Sequence, residues 1–286
     1  MSSYDLNAPA WAEVADDDFM WQQEEEYIAG EFVWTGFDYL GEPTSYTDMS
    51  VRRLNLEDKH GSRSSYFGIV DLCGIPKDRY YLYKSYWKPE ENMVHIVPHW
   101  NWNLKVGEAV PVFIYTNGDA AELFLNGKSL GMKAKNPTSR NSTERFRIMW
   151  DDVPYHPGEI KAIAYKAGVK IGEAVVRTSG EPAEIRLTPD REVISAGGMD
   201  LAYIIVEAFD RNGNQCPLAD NKINLAVKGE GTIGGVGNGN PRSLDPFQAD
   251  YVNLFYGKAI VIVKSGLSEG EIELNASTKS IPDRKF

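Results

Sequence analysis

The stretch Gly30-Glu31-Phe32-Val33-Trp34-Thr35-Gly36-Phe37-Asp38-Tyr39-Leu40-Gly41-Glu42-Pro43 sets an indole among three carboxylates. A flat indole stacks on the apolar face of a pyranose, and carboxylates accept hydrogen bonds from its hydroxyls. Trp34, Asp38 and Glu42 are therefore candidate sugar-binding residues. The same residues also fit a packing role, with Trp34 and Phe37 in a core and Asp38 and Glu42 in a loop. Residue chemistry alone leaves both readings open.

Other patterns carry less. Gly229-Glu230-Gly231-Thr232-Ile233-Gly234 has the spacing of a dinucleotide-binding loop. That loop needs a strand before it and a helix N-terminus after it to hold pyrophosphate. More glycines, Asn238, Asn240 and Pro241 follow instead, which predicts a glycine-rich sandwich loop. Asp210, Asn212 and Asn214 occupy the first ligand positions of a calcium loop, but the required glycine and closing acid are missing. An Asn-Gly turn is the better reading. His95 and His99 are four apart on a predicted strand, where they do not converge on one metal, and the other histidines are His60 and His156. No metal site and no cofactor are expected. Cys73 and Cys216 are too few for a disulfide scaffold or a zinc site and are read as free thiols. No serine nucleophile elbow, phosphate-binding loop or catalytic-cysteine pattern is present.

A chain of 286 residues holds two or three domains. Its character changes along its length. Six of the seven tryptophans lie at or before position 102, and the tail from about 180 has none. Residues 1–88 read as mixed: a helix opened by Asp16-Asp17-Asp18 and ended at Gly30, a short strand over 31–36, a polar loop over 41–66, and a helix from Pro76 through Trp87. Residues 89–179 read as strands at 94–97, 110–115, 121–125, 144–149, 159–164 and 174–177. Turn signals at Asn117-Gly118, Asn126-Gly127, Pro157-Gly158 and Ala167-Gly168 separate them. Residues 180–286 repeat the theme at 183–188, 202–209, 224–227, 259–264 and 271–276. The expectation is mainly β, with two tandem Ig-like antiparallel sandwiches and almost no helix after residue 100.

A net charge of −11 argues against nucleic acid and anionic membrane as partners. The longest apolar runs are five residues, against the ~20 of a membrane span. The N-terminus lacks the basic start and apolar run of a secretory signal.

GEFVWTGFDYLGEPTSY followed by SSYFGIVDLCGIPKDRYYLYKSYW closely resembles the end of the catalytic barrel in glycoside hydrolase family 2, in its β-galactosidase branch. HIVPHWNW and TNGDAAELFLNGKSLG resemble the sandwich that follows the barrel in Bacteroides-type members. The FDRNGN and GVGNGNP stretches resemble their Ig-like final domain. The resemblance implies a fold in which 1–88 is the C-terminal fragment of a (β/α)8 barrel, 89–179 an accessory sandwich and 180–286 an Ig-like sandwich. It implies a retaining glycosidase acting on a β-galactoside or related glycan with two glutamates. In the family both glutamates come from earlier barrel strands, so neither lies here, and the chain by itself is expected to be inactive. Asn55-Leu56-Glu57 and Glu91-Asn92 do not match the acid/base Asn-Glu pair. Trp34 matches the family's tryptophan on the last barrel strand, which floors the sugar subsite. Asp38 matches an aspartate just after it, and Glu42 belongs to the Gly-Glu-Pro turn at the barrel mouth. An incomplete barrel is expected to pack on the second segment or to self-associate. Family members are usually exported to the periplasm or cell surface. The alternative is a non-catalytic carbohydrate-binding or adhesin-like sandwich pair.

Overall fold

In several strands after residue 94, such as 120–125 and 201–209, buried side chains recur at every second position. Alternation of that kind puts one face of each strand in a core. The computed structural model describes residues 4–8, 10–43, 47–53, 61–279 and 281–285, the last by backbone only. Asn55-Leu56-Glu57 and His60 lie outside the described residues. The fold is mainly β, and the chain forms two units, Met1–Gly36 with Pro76–Thr178 and Phe37–Ile75 with Ser179–Phe286.

In the first unit, β1 (Val94–Val97), β2 (Ala109–Thr116) and β5 (Ile148–Pro154) make one antiparallel sheet in the order β1-β2-β5. With β3 (Ala120–Leu125), β4 (Lys128–Ala134), β6 (Glu159–Lys166) and β7 (Val169–Arg177) the chain makes a second, in the order β4-β3-β6-β7. Val112, Ile114, Ile148 and Trp150 of one sheet share a core with Leu123, Leu125, Ile160 and Ala162 of the other. The β3–β4 and β6–β7 hairpins turn on Asn126-Gly127 and Ala167-Gly168, all four with positive φ. That pair of conformations matches the twist of the flanking strands, as the Asn-Gly signal predicts.

β2 is buried on both faces, because its second face is covered by helices. Phe19, on the helix Ala15–Glu24, stacks on Tyr86 at 4.1 Å and meets Tyr83 and Phe146 edge-on. Tyr4 packs edge-on against Phe113 of β2. Residues 4–24 and the helix Asp78–Trp87 pack on the first sandwich.

Beneath them Arg147, fully buried, donates from Nε to both oxygens of Asp16, itself 0% exposed. Its other nitrogens reach Asp16, the carbonyls of Tyr4 and Asp5, and the Tyr115 hydroxyl.

Two expectations fail in this unit. Residues 144–149, read as a strand, divide into a short helix, Ser142–Phe146, and the start of β5. Asn141 caps that helix by accepting from Thr143 N, and Phe146 is drawn down onto Phe19. Residues 31–36 form no strand: no ladder partner reaches them among the described residues, and Phe32 and Trp34 stand exposed.

In the second unit, β8 (Glu184–Pro189), β9 (Leu201–Phe209), β11 (Gly231–Gly237) and β13 (Lys258–Ser265) form a sheet in the order β11-β13-β9-β8. A second sheet, in the order β12-β10-β14-β15, is built from β10 (Lys222–Gly229), β12 (Tyr251–Asn253), β14 (Ile272–Thr278) and β15 (Ile281–Lys285). Ile204, Val206, Val261 and Val263 face Ile223, Leu225, Leu274 and Ala276 across the core. The glycine-rich stretch expected to be a loop contains a strand. β11 pairs with β13 from Gly231 opposite Ser265 to Gly237 opposite Ile260, with a bulge at 233–235. At Gly231 a Cβ would stand 2.8 Å from Ile272 Cδ1, so any side chain there would push Ile272 aside. Residues 37–75 lie in this unit, where Phe37 bridges Val70 in parallel and Leu40 bridges Ser64 antiparallel.

Candidate functional site

Trp34 belongs to the first unit, with its side chain 74% exposed, and the Trp34–Thr35 peptide is cis. A large exposed indole on an irregular backbone offers a flat apolar surface to a ligand. Glu31, three residues before it, turns the other way. It lies against the helices Ala15–Glu24 and Asp78–Trp87, hydrogen-bonded to the side chains of Asp18, Gln22 and Trp87. Burial pushes its carboxyl up to about 7, and the adjacent Asp18 carboxylate adds to the rise. Burial raises Asp18 as well, with Glu13 and Asp17 adding to it. The two carboxyls are in direct hydrogen-bond contact. A glycosidic bond cannot lie between them, because the retaining geometry needs a separation of ~5–5.5 Å.

This pair has a consequence for stability. Glu31 titrates near 4.5 when unfolded and near 7 when folded, so the fold holds the proton more tightly. The stability it contributes is complete below about pH 4.5 and is lost as pH rises through 7. Solvent reaches this half-buried carboxyl and screens it, leaving about 1–2 kcal/mol. Glu31→Gln should flatten that part of the profile and raise the melting temperature at pH 7.5. Equal melting shifts between pH 5 and pH 7.5 in the wild type and the variant would refute this.

Asp38 and Glu42 belong to the second unit, in one segment but in different surroundings. Asp38 is 6% exposed, and its Oδ1 accepts from Gly68 N at 2.8 Å while its own N–H donates to Val70 O at 2.9 Å. Gly68 is obligatory there: a Cβ would fall 2.4 Å from Asp38 N. Glu42 is exposed and accepts from the Tyr39 hydroxyl through Oε2. Tyr39 is held by Ser65, whose Oγ accepts from Tyr39 N at 3.0 Å and whose N–H donates to Tyr39 O at 2.9 Å. Tyr39, Ser65 and Gly68 were not among the residues singled out from sequence. The short Ser64-Ser65…Gly68 spacing is the available signal, since small residues permit close backbone approach.

The remaining candidates resolve into structure. Asp210 Oδ1 accepts from Asn212 N and Asn214 N, and Oδ2 from Gly180 N, so its carboxylate closes a turn. His95 bonds Asp78 at 2.8 Å and stacks on Tyr81. Cys73 and Cys216 are free thiols. Burial, with Asp71 adding, pushes Cys73 up to about 12, which leaves it without nucleophilic character at neutral pH. Among the described residues no group of three potential ligands is placed to hold a metal, and no helix is long and apolar enough to cross a membrane.

A family model for the glycoside hydrolase family 2 C-terminal domain 5 matches residues 185–286, which is nearly all of the second sandwich. A model for a domain of unknown function matches residues 107–172 in the first. A β-galactosidase of Bacteroides ovatus is 41% identical over 98% of this chain, which covers 30% of that protein. The chain belongs to glycoside hydrolase family 2. It represents the family's C-terminal region. A putative β-glucuronidase of Formosa agariphila is 32% identical over 83% of the chain, which covers 22% of that protein. A crystal structure of a β-glycosidase from Bacteroides vulgatus superimposes with a TM-score of 0.86 at 33% identity, covering 100% of this chain and 34% of that one. This family 2 chain thus spans between 22% and 34% of the length of such relatives.

Proposed function

We propose that the chain is the C-terminal part of a β-galactosidase-like retaining glycosidase. Residues 1–88 supply the end of its catalytic barrel, and the two sandwiches are Ig-like accessory domains. One observation carries this reading: 41% identity to a β-galactosidase runs across 98% of the chain, yet the chain covers 30% of that protein. The match supports reading the chain as one part of a longer enzyme. Trp34 offers its exposed indole to a sugar face, Glu42 accepts from a sugar hydroxyl, and Asp38 holds the segment that carries Glu42. The nucleophile and the acid/base come from outside these residues. The longer enzyme works in the periplasm or at the cell surface.

Among the described residues, the carboxylates beside Trp34 make no usable pair for retaining hydrolysis. Glu31 is committed to Asp18, and Asp38 is turned into the backbone of Gly68. The purified chain should therefore show no turnover of chromogenic β-galactosides or β-glucuronides over hours, whereas the longer protein that carries it hydrolyses the galactoside. Turnover by the chain that disappears in Glu31→Gln, Asp38→Ala or Glu42→Ala would overturn this reading, as would a longer protein without glycosidase activity.

A further inference from the structure

The segment bearing Asp38 and Glu42 is not self-supporting. It is backed by residues 64–70 through the Asp38–Val70, Asp38–Gly68 and Tyr39–Ser65 bonds. That backing strip is in turn clasped by residues 236–241, the end of β11 and the loop after it. Pro241 O accepts from Arg63 N at 2.6 Å and from Ser64 N at 3.3 Å. Gly239, at φ +69, lies so close to Asp71 that a Cβ would stand 1.9 Å from its Oδ2. A Cβ on Gly237 would stand 2.8 Å from Cys73 Sγ. Asp71 Oδ1 accepts from Cys73 N and Ile75 N, which folds the far end of the strip onto the clasp. The loop is itself braced: Asn238 Nδ2 donates to Asn253 O in β12, and Asn240 N to Asn238 Oδ1. Leu40, Leu72 and Phe247 line the small cleft left between strip and loop.

We infer that the Gly-rich loop at 236–241 of the second sandwich positions the Asp38–Glu42 segment, with Gly239 and Asp71 as positioning residues for the sugar subsite. This rests on the sugar-site reading above for its functional half, and on geometry alone for the mechanical half. The close approach to Asp71 and the positive φ explain why a glycine occupies 239, and at 237 a Cβ would crowd the Cys73 thiol. The C-terminal sandwich then acts on substrate binding without touching substrate.

The mechanical half is tested in the full chain by hydrogen exchange at the amides of Asp38, Ser65 and Gly68. Gly239→Ala should speed their exchange about tenfold or more, by loosening the strip. Gly234→Ala, whose Cβ meets its neighbours at 3.5 Å or beyond, should leave them unchanged. Asp71→Ala removes the carboxylate that packs against Gly239 and accepts from Cys73 N and Ile75 N, without inserting an atom, and should act in the same direction, so it decides the matter if Gly239→Ala does not fold. Unchanged exchange at these amides in folded Asp71→Ala overturns the coupling.

The functional half is read in the longer protein. Gly239→Ala should raise KM for a chromogenic β-galactoside about tenfold, more than it lowers kcat. If Trp34→Ala and Glu42→Gln raise KM but Gly239→Ala does not, the positioning role is overturned and the sugar site stands. If none of the three moves KM, the sugar-site reading and the functional half both fall, while the exchange rates still decide the coupling.

Discussion

Replacing Arg147 with alanine should destabilise this protein by about 3–5 kcal/mol, the range for breaking a buried ion pair by removing one partner. The magnitude comes from what is left behind. Asp16 has a fully buried carboxylate, and Arg147 is its cation. Two more acceptors, the carbonyls of Tyr4 and Asp5, lose their donor in the same step. The guanidinium also lies over the Tyr115 ring at 5.6 Å, so packing is lost with the charge. Removing both charges should be far milder. An Arg147→Met, Asp16→Leu double variant leaves no orphaned ion and replaces it with apolar volume, so it should recover most of the loss. Urea unfolding of the three proteins checks this. A double variant as unstable as the single one would mean that the hydrogen bonds to Tyr4 and Asp5, rather than the buried charge, hold the N-terminal segment to the first sandwich.

Trp34→Ala in the longer enzyme should lower kcat/KM by a factor corresponding to about 2–4 kcal/mol, the loss of a large aromatic anchor. The exposure of Trp34 makes this prediction separable from folding. At 74% exposure the indole fills no core, so its removal opens no cavity. Stability should therefore change by no more than about 0.5 kcal/mol, as for other surface substitutions. Trp34→Phe keeps a smaller stacking face and should fall between wild type and alanine. Near-normal kinetics in Trp34→Ala would remove the indole from the sugar site. A large drop in melting temperature with proportionate loss of activity would make it a structural residue.

Much of the fold is legible in the sequence because the strands of both sandwiches are half-buried. Ile160, Ala162 and Ala164 alternate with less buried neighbours, and so do Ala202, Ile204, Val206 and Ala208, each set facing a core. The Asn126-Gly127 and Ala167-Gly168 turns are legible for a local reason as well, since both central positions need positive φ. β4 was not anticipated, because it is an exposed edge strand whose polar residues carry no alternation. β11 was not anticipated because its glycines suggest a loop, and only pairing with β13, two dozen residues away, makes it a strand. Residues 31–36 mislead in the opposite direction: they have strand-like composition but lie outside every strand among the described residues.

The site divides along the same line. Residue type marks Trp34, Asp38 and Glu42 as sugar-site candidates, and the family resemblance rests on motifs that are local strings. Nothing local reveals that Asp38 faces Gly68, that Glu31 shares hydrogen bonds with Asp18 and Trp87, or that Gly239 abuts Asp71. Sequence therefore settles composition, periodicity and turn chemistry, which depend on neighbours a few residues apart. Tertiary structure alone settles which carboxylates are buried, which are paired and which remain open to a ligand. Those properties depend on desolvation and hydrogen-bond partners brought together from distant parts of the chain.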